Sequence, residues 1–259
     1  MAWSILGNAQ ANTKIVQEVS PTLVIGLGGT GRQVLLRLRR KFIQRYGALD
    51  QFPVVRFLYL DTDGHDALQE DLGSQDQLLS KIRFSPSERI DLRVNVSDFV
   101  QNINQYPHIK RWLAAGDVEG KLSQLGDMTD GAGQVRPAAR LAFFHHFSEI
   151  RDALIGAREA VGQIDNQKQM EDELGIRVNF GELAVYVVSS LAGGTGSGMC
   201  LDLAYLLKSL EQFKQARTVG FLVLPSMFLS HGQRTLANGY AALRELEHFL
   251  WRHTFDVQW

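Results

Sequence analysis

A chain of 259 residues, 45% hydrophobic and 21% charged, has the make-up of a globular protein with a sizeable core, which excludes a disordered or fibrous one. Lys+Arg 27 against Asp+Glu 28 leaves a net charge of −1, so no basic field argues for nucleic acid, and Cys 1 excludes an internal disulfide or a cysteine-based zinc site. No apolar run approaches the ~20 residues that span a bilayer, and Met1 to Gln17 lacks the features of a secretion signal, so a cytoplasmic protein without a membrane segment is expected.

The first 20 residues read as an N-terminal extension and 21–259 as one domain, because no low-complexity linker divides the chain. Thr22 to Leu27 is a short apolar, β-rich run ending in glycines, a buried strand. From Thr30 the pattern is helical, with Val34, Leu35, Leu38 and Phe42 as the apolar stripe. The basic residues Arg37, Arg39, Arg40, Lys41 and Arg45 are read as its solvated face. Val54 to Leu60 is a second buried strand, Leu92 to Val96 a candidate strand, and Ile109 to Ala115 a short helix. Pro137 suits the first turn of a helix, and Phe143, Phe147, Ile150, Leu154, Ala157 and Val161 continue as one long amphipathic helix. Asp165 to Glu173 reads as a polar surface connection, and Leu183 to Val188 as a strand. Leu201 to Leu210 is helical, Thr218 to Leu224 a strand stopped by Pro225, and Gln233 to Trp251 a last helix. Recurring strand, glycine loop and helix make this an α/β, Rossmann-like protein with a mainly parallel sheet and helices on both faces.

Gly 24 in 259 residues is about 9%, above an average of about 7%, and the excess is clustered. The clusters are Gly26-Leu27-Gly28-Gly29-Thr30-Gly31 and Ala192-Gly193-Gly194-Thr195-Gly196-Ser197-Gly198. Each follows a strand and precedes a helix, where backbone N–H groups and a positive helix end meet an anion. Two such loops on one rim suit a polyphosphate. Gly26, Gly28 and Gly31 have dinucleotide-fingerprint spacing, but Asp61 lies about 30 residues past Gly31 where that fingerprint asks for an acid about 20 on. A phosphate-binding P-loop fails at Arg32 and Gln33, which stand where Lys and Ser/Thr are required. The plain alternative is a pair of tight turns.

The second cluster resembles the signature of the tubulin/FtsZ GTPases, agreeing at all seven positions from Ala192 to Gly198. Further segments follow in that family's order: Ile25 to Gly31, Asp61-Thr62-Asp63, Gly131-Ala132-Gly133, and Thr218 through Pro225. The resemblance runs from about Thr22 to Leu250 and is nearest to the divergent bacterial tubulin-like proteins. It implies GTP or GDP with Mg²⁺. By it, Ala192, Gly193, Gly194, Thr195, Gly196 and Ser197 hold the phosphates through backbone N–H groups, assisted by the two hydroxyls. Gly28, Gly29 and Thr30 line them from the other side, and Gln33 contacts the base. Asp61 and Asp63 hold Mg²⁺ through water, while Gly131, Ala132, Gly133 and Gln134 read the γ-phosphate. Arg234 is the candidate ribose contact, since His231 stands at the acidic position of the FtsZ branch.

The resemblance also implies self-association into filaments, with hydrolysis completed by acids from a segment that these 259 residues do not include, contributed to a neighbouring subunit's nucleotide. No catalytic residue is therefore assigned here. The rivals are a non-hydrolysing nucleotide-binding scaffold and a dinucleotide-dependent oxidoreductase. Other features read as ordinary structure. A calcium loop from Asp61 fails at Leu72, where Glu is required. His145 and His146 are adjacent rather than at metal-binding spacing. Cys200 is read as a packed small side chain.

Overall fold

The computed structural model describes residues 18–64, 81–107 and 132–251. The helix expected at Ile109 to Ala115, together with Gly131, lies outside the described residues. In chain order the elements are β1 (Glu18–Val19), β2 (Thr22–Leu27), α1 (Gly28–Tyr46), β3 (Val55–Asp61), β4 (Arg89–Asp91) and α2 (Val96–Gln101). Then follow α3 (Arg136–His145), α4 (Phe147–Val161), α5 (Ile164–Leu174), β5 (Arg177–Val178), β6 (Ala184–Ser190), α6 (Gly194–Ser209), β7 (Arg217–Val223) and α7 (Gln233–Trp251).

Five strands form one sheet in the order β4-β3-β2-β6-β7, every neighbouring pair parallel. Both faces are covered along β3, β2 and β6, as a parallel sheet requires, while the edge strand β7 stays largely exposed. Alternation along β2 divides the core. Leu23, Ile25 and Leu27 face a cluster with Ala138, Ile150, Leu154, Met199 and Leu203 from α3, α4 and α6. Val24 points the other way, into Leu35, Phe57, Met170 and Val178, with Leu38 and Phe42 packed alongside. The expected α/β architecture with helices on both faces is thus what the chain adopts. Glu18–Val19 pairs in parallel with Arg177–Val178 as a separate two-stranded sheet.

Several local expectations are corrected. The third outer strand is Arg89–Asp91, paired with Tyr59–Asp61, whereas Val96 begins a helix. The long helix through Phe143 and Val161 is broken at His146 (φ −93°, ψ 18°), whose ring bonds the Arg93 carbonyl at 3.0 Å and Glu149 at 3.0 Å. Asp165 to Glu173 is helix α5, not a connection. Its inward side is small: Met170 is buried, Asn166 donates to the Ala160 carbonyl at 2.7 Å, and Gly175 ends it at φ 65°.

The basic face of α1 is also not wholly solvated. Arg37 and Arg40 are exposed, but Arg39 is 3% exposed. Its guanidinium donates to the Ile82 and Arg83 carbonyls at 2.8 and 2.7 Å and pairs with Glu88 at 2.5 Å. The rings of Phe57 and Phe84 lie 5.2 and 5.0 Å from it. A buried charge is tolerated only when so completely partnered. Val34, expected on the inner stripe, is 36% exposed, and Leu36 and Ile43 take the buried face.

Candidate functional site

Both glycine clusters are helix starts rather than loops. α1 begins at Gly28 and α6 at Gly194, seven residues ahead of the Leu201 at which the apolar pattern begins. Most of the glycines are there for packing. A Cβ on Gly31 would come within 2.6 Å of the Gly26 carbonyl carbon and 2.9 Å of the Val188 oxygen, so Gly26 and Gly31 seat α1 on β2 and β6. A Cβ on Gly194 would meet the Val135 nitrogen at 2.8 Å, and one on Gly198 the Arg136 oxygen at 2.5 Å. Gly194 is therefore required by its neighbours and not by a positive φ. Gly28 does need its left-handed φ of 66°.

Two glycines are different. Among the described residues nothing lies within 4 Å of where a Cβ on Gly29 or Gly193 would sit, so these two backbones have room beside them. The starts of α1 and α6 are neighbours: a Cβ on Gly28 would lie 3.2 Å from the Thr195 Cβ and 3.5 Å from the Gly196 nitrogen. Neither helix has a side-chain cap, and neither carries an acid in its first turn. The first N–H groups of each helix have no intrahelical acceptor, and each end carries a partial positive charge of about half a unit. Two bare positive ends side by side are a receptor for negative charge.

A third segment closes on this pair. Residues 132–135 lie against Gly194, with Gly133 at φ 54° and Gln134 at φ 61°, and lead into α3, which likewise has no side-chain cap or first-turn acid. What ties these parts together is Thr62, fully buried at the end of β3. Its hydroxyl bonds the Thr195 hydroxyl at 2.7 Å and accepts the Ala132 N–H at 3.0 Å. From the sequence, roles fall to Asp61 and Asp63 and none to Thr62 between them, although its place at a strand end within a matched segment is the signal that points to it.

The remaining expected residues divide into two groups. Ala192, Gly193, Gly194, Thr195, Gly196 and Ser197 lie together with Gly28, Gly29 and Thr30 at the paired helix starts. The two hydroxyls turn inward, Thr195 to Thr62 and Ser197 to the Gly193 carbonyl. The groups left for a ligand there are backbone amides, the Ala192 N–H excepted, which donates to the Ser190 hydroxyl at 3.1 Å. Asp61 is 4% exposed; its carboxylate accepts from the Tyr59 hydroxyl and from the Asp63 N–H at 3.2 Å. Burial holds this carboxyl above the usual carboxylate range, against those two hydrogen bonds. Asp63 is half-exposed. Among the described residues no cluster of three or more His, Cys, Asp or Glu could hold a metal ion. Gln33 and Arg234 are exposed on α1 and at the start of α7, and no hydrogen bond among the described residues joins them to the cluster. Cys200 is a packed thiol pushed up to about 11 by burial, which makes it a poor nucleophile.

A model of the family described as "Tubulin like" matches residues 23–258, nearly the whole chain. The chain belongs to the tubulin-like family. Among solved structures, CetZ from Methanosaeta thermophila strain DSM 6194 is 18% identical, covering 88% of this chain and 42% of that one, with a TM-score of 0.49. CetZ1 from Haloferax volcanii, a GDP-bound monomer, is 17% identical over 86% of this chain and 46% of its own, also at 0.49. CetZ2 from Haloferax volcanii, a GTPγS-bound protofilament, is 16% identical over 86% and 45%, at 0.46. At these scores membership rests on the sequence model rather than on the superpositions. The tubulin-like chain spans less than half the length of each CetZ structure. No curated protein matches it. No helix among the described residues is long and apolar enough to cross a membrane.

Proposed function

We propose that this tubulin-like chain binds a guanine nucleotide, GTP or GDP, with its phosphates against the joined starts of α1 and α6. The observation that carries the reading is the pair of adjacent, uncapped, acid-free helix N-termini, each open at one glycine, Gly29 and Gly193. Backbone amides there are fixed before any ligand arrives, so binding costs little reorganisation. Gly28, Gly29 and Thr30 serve one side of the phosphates and Ala192 to Ser197 the other. Gly131 to Gln134 is assigned to the γ-phosphate, Gln33 to the base and Arg234 to the ribose, as the family resemblance implies. Guanine over adenine rests on that resemblance alone.

Of the two acids, Asp63 is the better metal contact. Magnesium usually keeps several waters and takes one or two carboxylates; Asp63 is half-exposed, whereas Asp61 is buried and bonded to Tyr59. Asp61 then holds the turn through the Asp63 N–H. Bound Mg²⁺ would neutralise phosphate charge.

Phosphoryl transfer to water depends on positioning and electrostatics. The amides of the cradle suit the electrostatic part but do not orient a water. That task falls to an acid from a segment or subunit outside these residues, which links hydrolysis to nucleotide-dependent self-assembly. The inward-turned Thr195 and Ser197 hydroxyls and the engaged Asp61 fit slow turnover by this chain alone. Titration calorimetry with GTP, GDP, ATP and NAD in the presence of Mg²⁺ tests the reading. GTP and GDP should bind at least about tenfold more tightly than ATP or NAD. Equal ATP affinity removes the guanine assignment, and NAD binding without GTP removes the whole reading.

A further inference from the structure

Helix α7 supplies only the exposed Arg234 to the expected site, yet a residue one turn further along touches two of its three parts. The Asn238 amide nitrogen donates to the Gln134 carbonyl at 2.9 Å and to the Ala192 carbonyl at 3.1 Å. Both protons of one NH₂ group are used, each on a different segment. One acceptor lies in the turn that leads into α3; the other ends the run from β6 into α6.

The turn needs such a restraint. Gln134, at φ 61°, is the one positive-φ residue other than glycine among those described, and a side chain in this region is held there only by its surroundings. The restraints are the Val135 N–H on the Ala132 carbonyl at 2.7 Å, the Thr62 hydroxyl on the Ala132 N–H, and Asn238. α7 is itself anchored. Gly239 lies flush on Pro225, leaving no room for a Cβ, and Thr235 donates to the Gly232 carbonyl at 2.7 Å. Glu245, two turns on, pairs with Arg136, which forks onto the Ser197 carbonyl at 3.2 and 3.0 Å. α7 thus grips the turn and the α6 start from the same side, at two levels.

We propose that Asn238 is a positioning residue: it sets the spacing between the 132–135 turn and the start of α6, and so the preference for a nucleoside triphosphate over a diphosphate. This rests on the phosphate reading given above. The contacts of α1 and α6 serve the phosphates common to both ligands, whereas the turn meets only the third. Displacing the turn therefore weakens GTP more than GDP.

Asn238→Asp keeps the shape but presents oxygen to two carbonyls; Asn238→Ala removes the bonds without repulsion. With Kd for GTP and GDP measured by calorimetry, the ratio favouring GTP should fall by about tenfold in Asn238→Asp and less in Asn238→Ala. GDP affinity should stay within about threefold of the parent chain. Arg244→Ala, which loses an exposed ion pair to Glu247 on the same helix, should leave both affinities unchanged. Equal losses for GTP and GDP accompanied by a lower Tm indicate mere structural support and overturn the proposal. An unchanged ratio in Asn238→Asp, or a parent chain that does not favour GTP, overturns it as well. A parent chain that binds neither nucleotide overturns the phosphate reading, and this proposal with it.

Discussion

At the start of α1, Gly26 and Gly31 pack between that helix and the sheet. At the start of α6, only Gly196 packs on the sheet, at the end of β6, while Gly194 and Gly198 pack on the 132–135 turn and α3. Gly31 rests on Gly26 and the Val188 carbonyl, so the first start is a helix-on-strand contact. Gly194 rests on residues 132–135, Gly196 on Ser190, and Gly198 on Arg136 and Ala139 of α3. The second start is a junction of three segments, and Asn238 and Thr62 join it from two further elements. What the two have in common is one glycine each with nothing beside it among the described residues. A glycine-rich run is mostly a record of close packing, and the open position within it is the one to associate with a ligand.

The largest effect should come from filling the packed side of either start. Gly196→Val would drive a Cβ to within 2.8 Å of the Ser190 carbonyl oxygen, a backbone atom with no room to retreat. A loss of about 3 kcal/mol or more is expected, since overpacking and backbone displacement add. Urea denaturation would read it, with Gly31→Val as the counterpart on α1. A Gly196→Val chain as stable as the parent would mean that the junction is looser than described.

Each helix also buries one charge beyond its glycine start, and these differ in the same sense. Arg39 of α1 is satisfied by two carbonyls and Glu88. Asp202 of α6 is 5% exposed and has Arg140 at 3.0 Å, beside a cavity of about 330 Å³ that Arg136 and Glu245 also line. Burial raises its carboxyl from 3.8 to about 6, with Arg140 opposing the rise. An acid whose folded value lies above its unfolded one binds its proton more tightly in the fold, and stability is lost as pH climbs through that interval. The parent chain should therefore weaken between pH 4 and pH 6 relative to Asp202→Asn, by ~3 kcal/mol at most. Thermal unfolding of both proteins at several pH values checks the sign. A gap that does not change with pH would show that Arg140 fully offsets the burial.

The sequence allowed the sheet strands β2, β3, β6 and β7 to be read to within two residues and α7 in full, because their apolar runs end at glycine, proline or acid. It failed where burial is carried by few or polar side chains. α5 has only Asn166 and Met170 inside, and β4 is three residues long. At the site, the signature drew attention to the run in which Gly193 lies open, but not to the packing that fills Gly194, Gly196 and Gly198. Thr62, Arg39 and Asn238 were missed for a shared reason: each acts on carbonyls, hydroxyls or amides more than 40 positions away, and no local period encodes that.

The smallest change in stability, and the sharpest test of the open positions, should come from adding one methyl group at Gly29 or at Gly193. Gly29 lies in the first turn of α1 with a negative φ, and Gly193 precedes α6 at φ −79°, so alanine fits both backbones. With nothing among the described residues within 4 Å of either Cβ, no strain is introduced, and the less flexible unfolded chain offers a gain of up to ~1 kcal/mol. A ligand would nevertheless meet the methyl group. If phosphates lie against these amides, Gly29→Ala and Gly193→Ala should each weaken GTP by about tenfold while Tm holds or rises. Opposite signs for stability and binding cannot come from damage to the fold. If only one of the two variants weakens GTP, the phosphates rest on that helix start alone. If neither does, the open glycines are surface positions, and the resemblance between the two starts stops at packing.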